Sequence, residues 1–224
     1  MIKDIIIAID GNSGCGKSTT SRLVANYFNY KYLDSGAMYR AVSLFFFNNK
    51  ILPNQVLNNL NQLDNINIEF KSKDNSQFTF LNGENVERQI RSDEISSLVS
   101  SYSSISEVRK FLVKNQKLIG KNKKIVVEGR DITTVVFPDA DIKFFMTADI
   151  DVRARRRYEE MRVSDDKISL SEIRKNLDDR DREDSNRKDS PLLVSDQAII
   201  IDTSHLKIDD QVNKIIKIIE EKFS

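Results

Sequence analysis

An α/β fold, built on an open five-stranded parallel sheet flanked by helices, is predicted for these 224 residues by three observations. Short apolar runs recur along the chain and alternate with segments of helical periodicity, the pattern of parallel strands joined by crossovers. The first run, Ile5-Ile6-Ile7-Ala8-Ile9, shows no polar alternation, as in a strand covered on both faces. A glycine-rich turn over residues 11–16 follows at once and leads into a helical pattern that starts with Leu23, Val24 and Tyr27.

The other elements follow in chain order. Tyr32–Leu33, Ile125–Val127, Ile142–Met146 and Ala198–Ile201 are the remaining strand candidates. A helix is expected near Ala41–Phe47. The alternation of Ile66, Ile68 and Phe70, then Phe78 and Phe80, reads as a small antiparallel meander, with Asn82-Gly83 as its hairpin turn. Residues 96–106 are serine-rich, but Ile95, Leu98, Val99, Tyr102, Ile105 and Val108 hold a helical spacing, so one helix is expected from about Asp93. Ser169-Leu170-Ser171-Glu172 is a capping box opening a helix towards Arg180. Ile208, Val212, Ile215, Ile219 and Phe223 form the apolar stripe of a last helix. The whole chain, 1–224, is expected to form one domain.

Composition narrows the function classes. A net charge of +1, from 35 basic and 34 acidic residues, argues against a nucleic-acid binder of general basic character. No run of 18 apolar residues occurs, so no membrane span is expected. Met1-Ile2-Lys3-Asp4 enters the first strand directly, without the pattern of a secretory leader. The single Cys excludes an internal disulfide and fits a cytoplasmic protein. The arginines between 153 and 188 stand among many acids, which suggests salt-bridged helix surfaces for most of them.

The chemistry begins at Gly11-Asn12-Ser13-Gly14-Cys15-Gly16-Lys17-Ser18-Thr19. G-x-x-x-x-G-K-[ST] between a strand and a helix is a phosphate-binding P-loop. Its glycines let successive backbone N–H groups converge on one anion, at the positive end of the following helix. Lys17 can reach the β- and γ-phosphates of ATP, and the Ser18 hydroxyl can ligate Mg²⁺. Cys15 lies amid these N–H groups, so its thiol is expected to be alkylated, with ATP protecting it.

A second set of residues stands at other strand ends. Ser35 and Arg40 follow the second strand; Glu128, Arg130 and Asp131 follow the third. In an open parallel sheet, ligands bind beyond the carboxyl ends of the strands, so these side chains are expected on the rim that carries the P-loop. Converging arginines suit a second phosphate, and Glu128 is the candidate for holding Mg²⁺ through water. Two adjacent phosphate sites suggest a triphosphate donor and a monophosphate acceptor.

These residues resemble the bacterial-type cytidylate kinases, nucleoside monophosphate kinases of the P-loop kinase fold, over essentially the whole length. The resemblance rests on residues 9–19, on Leu33-Asp34-Ser35-Gly36-Ala37-Met38-Tyr39-Arg40, on Glu128-Gly129-Arg130-Asp131 through Ala140, and on Arg180-Asp181 with Asp184, Arg187 and Pro191-Leu192. It implies transfer of the γ-phosphoryl group of ATP to CMP or dCMP. It also implies that Ser35, Arg109, Asp131 and Arg187 line the cytosine pocket and that Ser100, Arg180 and Asp184 face the sugar. Arg40 and Arg130 would hold the monophosphate. Arg153, Arg156 and Arg157 would clamp the transferring group from a mobile lid at about 151–189. Residues about 51–92 would be a monophosphate-side insert, and about 1–50, 93–150 and 190–224 the core. The family pattern is broken at Asn12, usually Pro, at Cys15, usually Ala or Ser, and at Thr133, usually Gly. A positive φ at residue 133 would strain Thr.

Other readings remain open at this point: another small acceptor such as UMP or AMP, or a P-loop switch with no acceptor. A monomer is expected, with no nucleic-acid or membrane partner.

Overall fold

The computed structural model describes residues 4–73, 76–162 and 168–223. The expected leaderless start at Met1–Lys3 and residues 163–167 of the expected lid lie outside these. The chain forms two compact units: Leu33–Asn122, and the chain on either side of it.

The flanking unit is built on a parallel sheet. Strands β1 (Ile6–Gly11), β2 (Lys31–Asp34), β6 (Ile125–Gly129), β7 (Ile142–Thr147) and β8 (Ile199–Asp202) take the order β2-β6-β1-β7-β8. This is the five-stranded sheet expected from the apolar runs, each within two residues of its predicted bounds. The central strands bury both faces: Ile7, Ile9, Val126, Phe144 and Met146 lie on the face under the apolar stripe of α7 (Ile208–Phe223), and Ala8, Val127 and Phe145 are buried on the other. Helix α1 (Lys17–Phe28) leaves β1 through the P-loop and ends at Asn29, in the left-handed region at φ 54°. Helices α5 (Ile150–Met161) and α6 (Leu170–Asn186) meet over Ala154, Ile173 and Leu177. The capping box is present: Ser169 Oγ accepts from Glu172 N, and the Glu172 carboxylate accepts from Ser169 N.

In the other unit, α2 (Ser35–Asn48) is capped by Asp34, whose carboxylate accepts from Ala37 N at 2.9 Å. The predicted meander is an antiparallel sheet of β3 (Ile68–Lys73), β4 (Ser76–Leu81) and β5 (Glu84–Asn85). Asn82 and Gly83, at φ 50° and 86°, are the two positive-φ residues that a type I′ turn between β4 and β5 needs.

Two local features differ from expectation. The single helix from Asp93 is two, α3 (Asp93–Ser103) and α4 (Ser106–Ile119), with Ile105 extended between them. The hydroxyls of Ser103 and Ser104 donate to the carbonyls of Ser100 and Ser101, so these side chains compete for the backbone where α3 ends. Residues Pro53–Asn65 form consecutive 3₁₀ turns, which the polar, asparagine-rich sequence did not signal.

Candidate active site

The P-loop backbone is shaped by glycines that no other residue could replace. Gly11 pairs with Met146 across β1 and β7, and a Cβ there would lie 1.9 Å from the Met146 carbonyl oxygen. Gly16 takes φ 91° as the N-cap of α1. Lys17 is buried and its Nζ donates to the Asn12 carbonyl at 2.8 Å, so the ammonium is folded back over the loop. Burial, then the nearby Arg130 guanidinium, hold its pKa below the ordinary lysine value. Ser18 and Thr19 are exposed at the helix start. Cys15 is fully buried among the core residues beneath α7. The expected ready alkylation of its thiol is therefore corrected: loop curvature turns the side chain into the core, away from reagents.

Beyond β6 the chain turns sharply. Asp131 is buried, and Ile132–Val136 forms one π-helical turn, with Val136 N donating to Asp131 O and Phe137 N to Ile132 O. Thr133 is not among the residues of positive φ, so Thr in place of Gly costs no backbone strain here. Its hydroxyl donates to Asp10 Oδ2 at 2.6 Å. Arg130 Nε donates to Asp184 Oδ2 at 2.8 Å, and Arg187 Nη1 lies 3.4 Å from Asp184 Oδ1. Burial works to raise the Asp184 pKa, but Arg130 and Arg187 outweigh it and hold the carboxyl below its ordinary range. Arg180 stands close to Arg130 and to Arg157; burial, then Arg130, lower its pKa. The structure thus brings Arg130, Arg180, Asp184 and Arg187 together, with Lys17 beside Arg130.

The three arginines of α5 separate. Arg153 is buried and fully engaged: Nε donates to Ala148 O, and Nη1 to Ser13 O and to Asp181 Oδ2 at 2.6 Å. Asp181 Oδ1 also accepts from Ser13 N at 3.4 Å. Arg156 Nη2 donates to Thr203 O at 2.6 Å and reaches Leu206 O. Arg157 is exposed, pairs with Glu160 at 3.2 Å and lies near enough to Arg180 to help lower its pKa, after burial and Arg130. Arg155 is exposed.

Glu128 is buried, and its Oε1 accepts from the Tyr32 hydroxyl at 2.6 Å. Among the described residues no group of three or more His, Cys, Asp and Glu could hold a metal ion. A hydroxyl at Ser18 and a carboxylate at Glu128 are hard oxygen donors, too few for a protein cage but suited to Mg²⁺ that is mainly held by substrate phosphates.

In the other unit, Ser35 is buried in the first turn of α2, and Arg40 lies on the same helix; burial works to raise the Asp34 pKa, but Arg91 and then Arg40 outweigh it and hold the carboxyl below its ordinary range. Arg109 of α4 is buried, 5.2 Å from the Tyr39 ring centroid, and donates to Ser103 O. Ser100 lies on α3, half-buried.

Asp10, Tyr32 and Asp181 were not expected to matter individually. Asp10 did carry a signal: an acid ending an otherwise apolar, buried strand must find partners.

The family model described as cytidylate kinase matches residues 7–221. A cytidylate kinase of Flavobacterium johnsoniae is 44% identical, with 98% of each chain covered. One of Phocaeicola vulgatus is 46% identical, with 94% of each covered. A crystal structure of an uncharacterised protein from Eubacterium ventriosum shares the fold at a TM-score of 0.54 and 15% identity, covering 96% of this chain and 98% of that one. The chain belongs to the cytidylate kinase family.

Proposed function

We propose that this enzyme transfers the γ-phosphoryl group of ATP to CMP or dCMP, giving ADP and CDP or dCDP, with Lys17 on the donor and Arg130 on the acceptor. The observation that carries the residue roles is the closeness of these two cations, Lys17 buried and Arg130 partly buried. Burial and then Arg130 work against the charge on Lys17, and anionic phosphates on both sides would relieve the repulsion. Of the lid arginines, Arg157 is the one placed to follow the transferring group, because it is exposed and near Arg180. Arg153 and Arg156 act as anchors, tying α5 to Ser13 and to Thr203.

The acceptor phosphate oxygen attacks the γ-phosphorus as the bond to the ADP oxygen breaks. The nucleophile is already an anion, so no histidine or carboxylate base is required. Positioning and charge neutralisation carry the step. Mg²⁺, held through Ser18 and Glu128, would supply further charge neutralisation on the donor phosphates. Closure of residues 151–189 over both substrates would exclude water and limit wasteful hydrolysis. Residues 51–92 would serve the acceptor side. Ser35, Arg40, Ser100 and Arg109 are assigned to the acceptor on the family pattern alone. The single, buried Cys15 suits a reducing cytoplasm.

Base selection falls to Asp131. Its carboxylate accepts from the cytosine N4 amino group and repels the O4 of uracil, while Arg187 or Arg109 donates to cytosine N3. Two such mismatches, at about 1–3 kcal/mol each, predict a preference for CMP over UMP on the order of 10³-fold. An ADP-release assay with CMP, dCMP, UMP and AMP tests this. Asp131→Asn should narrow the CMP:UMP ratio of kcat/KM, since an amide can donate to O4. Equal use of CMP and UMP by the wild type, or an unchanged ratio in the variant, would refute the assignment.

A further inference from the structure

Asp10 is wholly buried one residue before the P-loop, and the transfer just described gives it no substrate to touch. Every hydrogen bond the structure shows to its carboxylate comes from one short segment. Oδ1 accepts from Ile132 N at 2.9 Å; Oδ2 accepts from Thr133 N at 2.7 Å and from Thr133 Oγ1 at 2.6 Å. The parallel ladder between β1 and β6 ends at the pair Asp10–Gly129. The chain then leaves the sheet for two residues, Arg130 and Asp131, and is caught again by the same Asp10 at Ile132 and Thr133.

Arg130 and Asp131 are therefore pinned on both sides to the strand that leads into the P-loop. Burying a carboxylate is costly, and an apolar residue at the end of β1 would fill the space at lower cost. What an apolar residue cannot do is accept three donors and fix the direction of a turn. We infer that Asp10 and Thr133 are positioning residues for the acceptor: they hold Arg130 and Asp131 in register with the P-loop, and so set acceptor affinity and base choice without touching either substrate. This rests on the roles proposed above for Arg130 and Asp131. Thr133 stands where the family pattern has Gly, so its hydroxyl adds to the two backbone bonds a third that a glycine could not supply.

Thr133→Val removes that donor at nearly constant volume and leaves both backbone bonds possible. It should raise KM for CMP about five- to tenfold and lower the CMP:UMP ratio, with KM for ATP within about twofold of wild type. Thr133→Ser should restore all three values. Asp10→Asn, which turns an amide N–H₂ towards backbone donors, should show the same split more strongly if it folds; Thr133→Val keeps the test available if it does not. A purely structural tie would lower the melting temperature of Thr133→Val and leave the KM split and the base ratio unmoved, and that result overturns the inference. Arg130→Ala and Asp131→Asn are assayed alongside. If they change acceptor kinetics and Thr133→Val does not, the inference fails alone. If neither changes them, the acceptor assignment falls and takes the inference with it.

Discussion

Helix α6 carries two sets of ion pairs of similar length, 2.6 to 2.8 Å, in opposite surroundings. Asp181 meets Arg153 at 2.6 Å with side chains only 16% and 6% exposed. Arg174 meets Asp151, also at 2.6 Å, with side chains 50% and 76% exposed. Asp184 with Arg130 belongs to the first kind, and Asp178 with Arg182, at 2.6 Å, to the second. Distance does not separate them; access of water does. A charge taken from water costs several kcal/mol unless partners offset it, and its loss then strands the partner. An exposed pair is screened and trades contact with the other ion for contact with water. The inner set lies in the proposed site and the outer set on the surface of the proposed lid, so similar geometry predicts unequal consequences.

The largest effect is expected at Arg130. Arg130→Ala removes the proposed phosphate ligand and leaves Asp184 with Arg187 as its remaining close ion-pair partner. Acceptor binding should weaken by about 2–4 kcal/mol, roughly 30- to 1000-fold, with ATP affinity nearly unchanged. Separate titrations with CMP and with ATP measure this. Equal losses for both nucleotides, or a loss for ATP alone, would place Arg130 on the wrong substrate and erase the contrast between inner and outer arginines.

Much of this contrast was legible in the sequence, though not all of it. The five strands announced themselves because strands covered on both faces must be continuously apolar, as Ile5–Ile9 and Ile142–Met146 are. Asn82-Gly83 and the Ser169–Glu172 box were readable because each meets a local demand, positive φ in one case and orphan N–H groups in the other. The P-loop was found from the spacing of its glycines, Lys17 and Ser18, and Arg130 because strand ends converge on one rim. The division of labour among Arg153, Arg156 and Arg157 was not readable. Arg156 and Arg157 both stand about one turn from Arg153, and that spacing is the same whether a guanidinium faces a carbonyl 140 residues away, as Arg153 does with Ser13, or faces solvent. The burial of Cys15 and the break at Ser104 were hidden for a related reason. The first depends on the curl of a loop, the second on hydroxyls that compete for carbonyls only once the helix exists.

A middle-sized effect is expected from Asp10, an inner carboxylate whose hydrogen bonds come from Ile132 and Thr133. Burial pushes its pKa up from 3.8 to about 6, against the lowering from the Thr133 and Ile132 hydrogen bonds. The folded state therefore holds its proton to a higher pH than the unfolded state does. This contribution is fully favourable below pH 3.8 and declines as pH rises through about 6, after which it is constant. The loss is about 2–3 kcal/mol. Other titrating groups have their own slopes, so the test is a difference: the stability of wild type relative to Asp10→Asn, from urea unfolding between pH 4 and 7. That difference should shift against the wild type as pH rises. A constant difference would mean that the buried carboxylate titrates as it does in water, and the inner set would lose its distinguishing feature.

The smallest effects should come from the outer set. Arg174→Ala and Arg182→Ala each remove a 2.6 Å contact, as short as that between Arg153 and Asp181. Arg182 and Asp178 are four residues apart on one helix, a spacing that contributes about 0.3–0.5 kcal/mol in exposed helices. Arg174 with Asp151 links α6 to α5, but at these exposures its attraction is weakened by water and by salt. Each substitution should cause only a small loss in urea unfolding, and high salt should abolish the difference from wild type. Ala has the higher helix propensity, which offsets part of even that loss. CMP kinetics should stay within about twofold of wild type, because neither guanidinium belongs to the buried group around Asp184. A cost of several kcal/mol that survives high salt would show that the outer pairs behave as buried ones. Burial would then fail as the criterion dividing the two sets, and Arg174 would have to be counted with Arg153 among the residues that fix the lid.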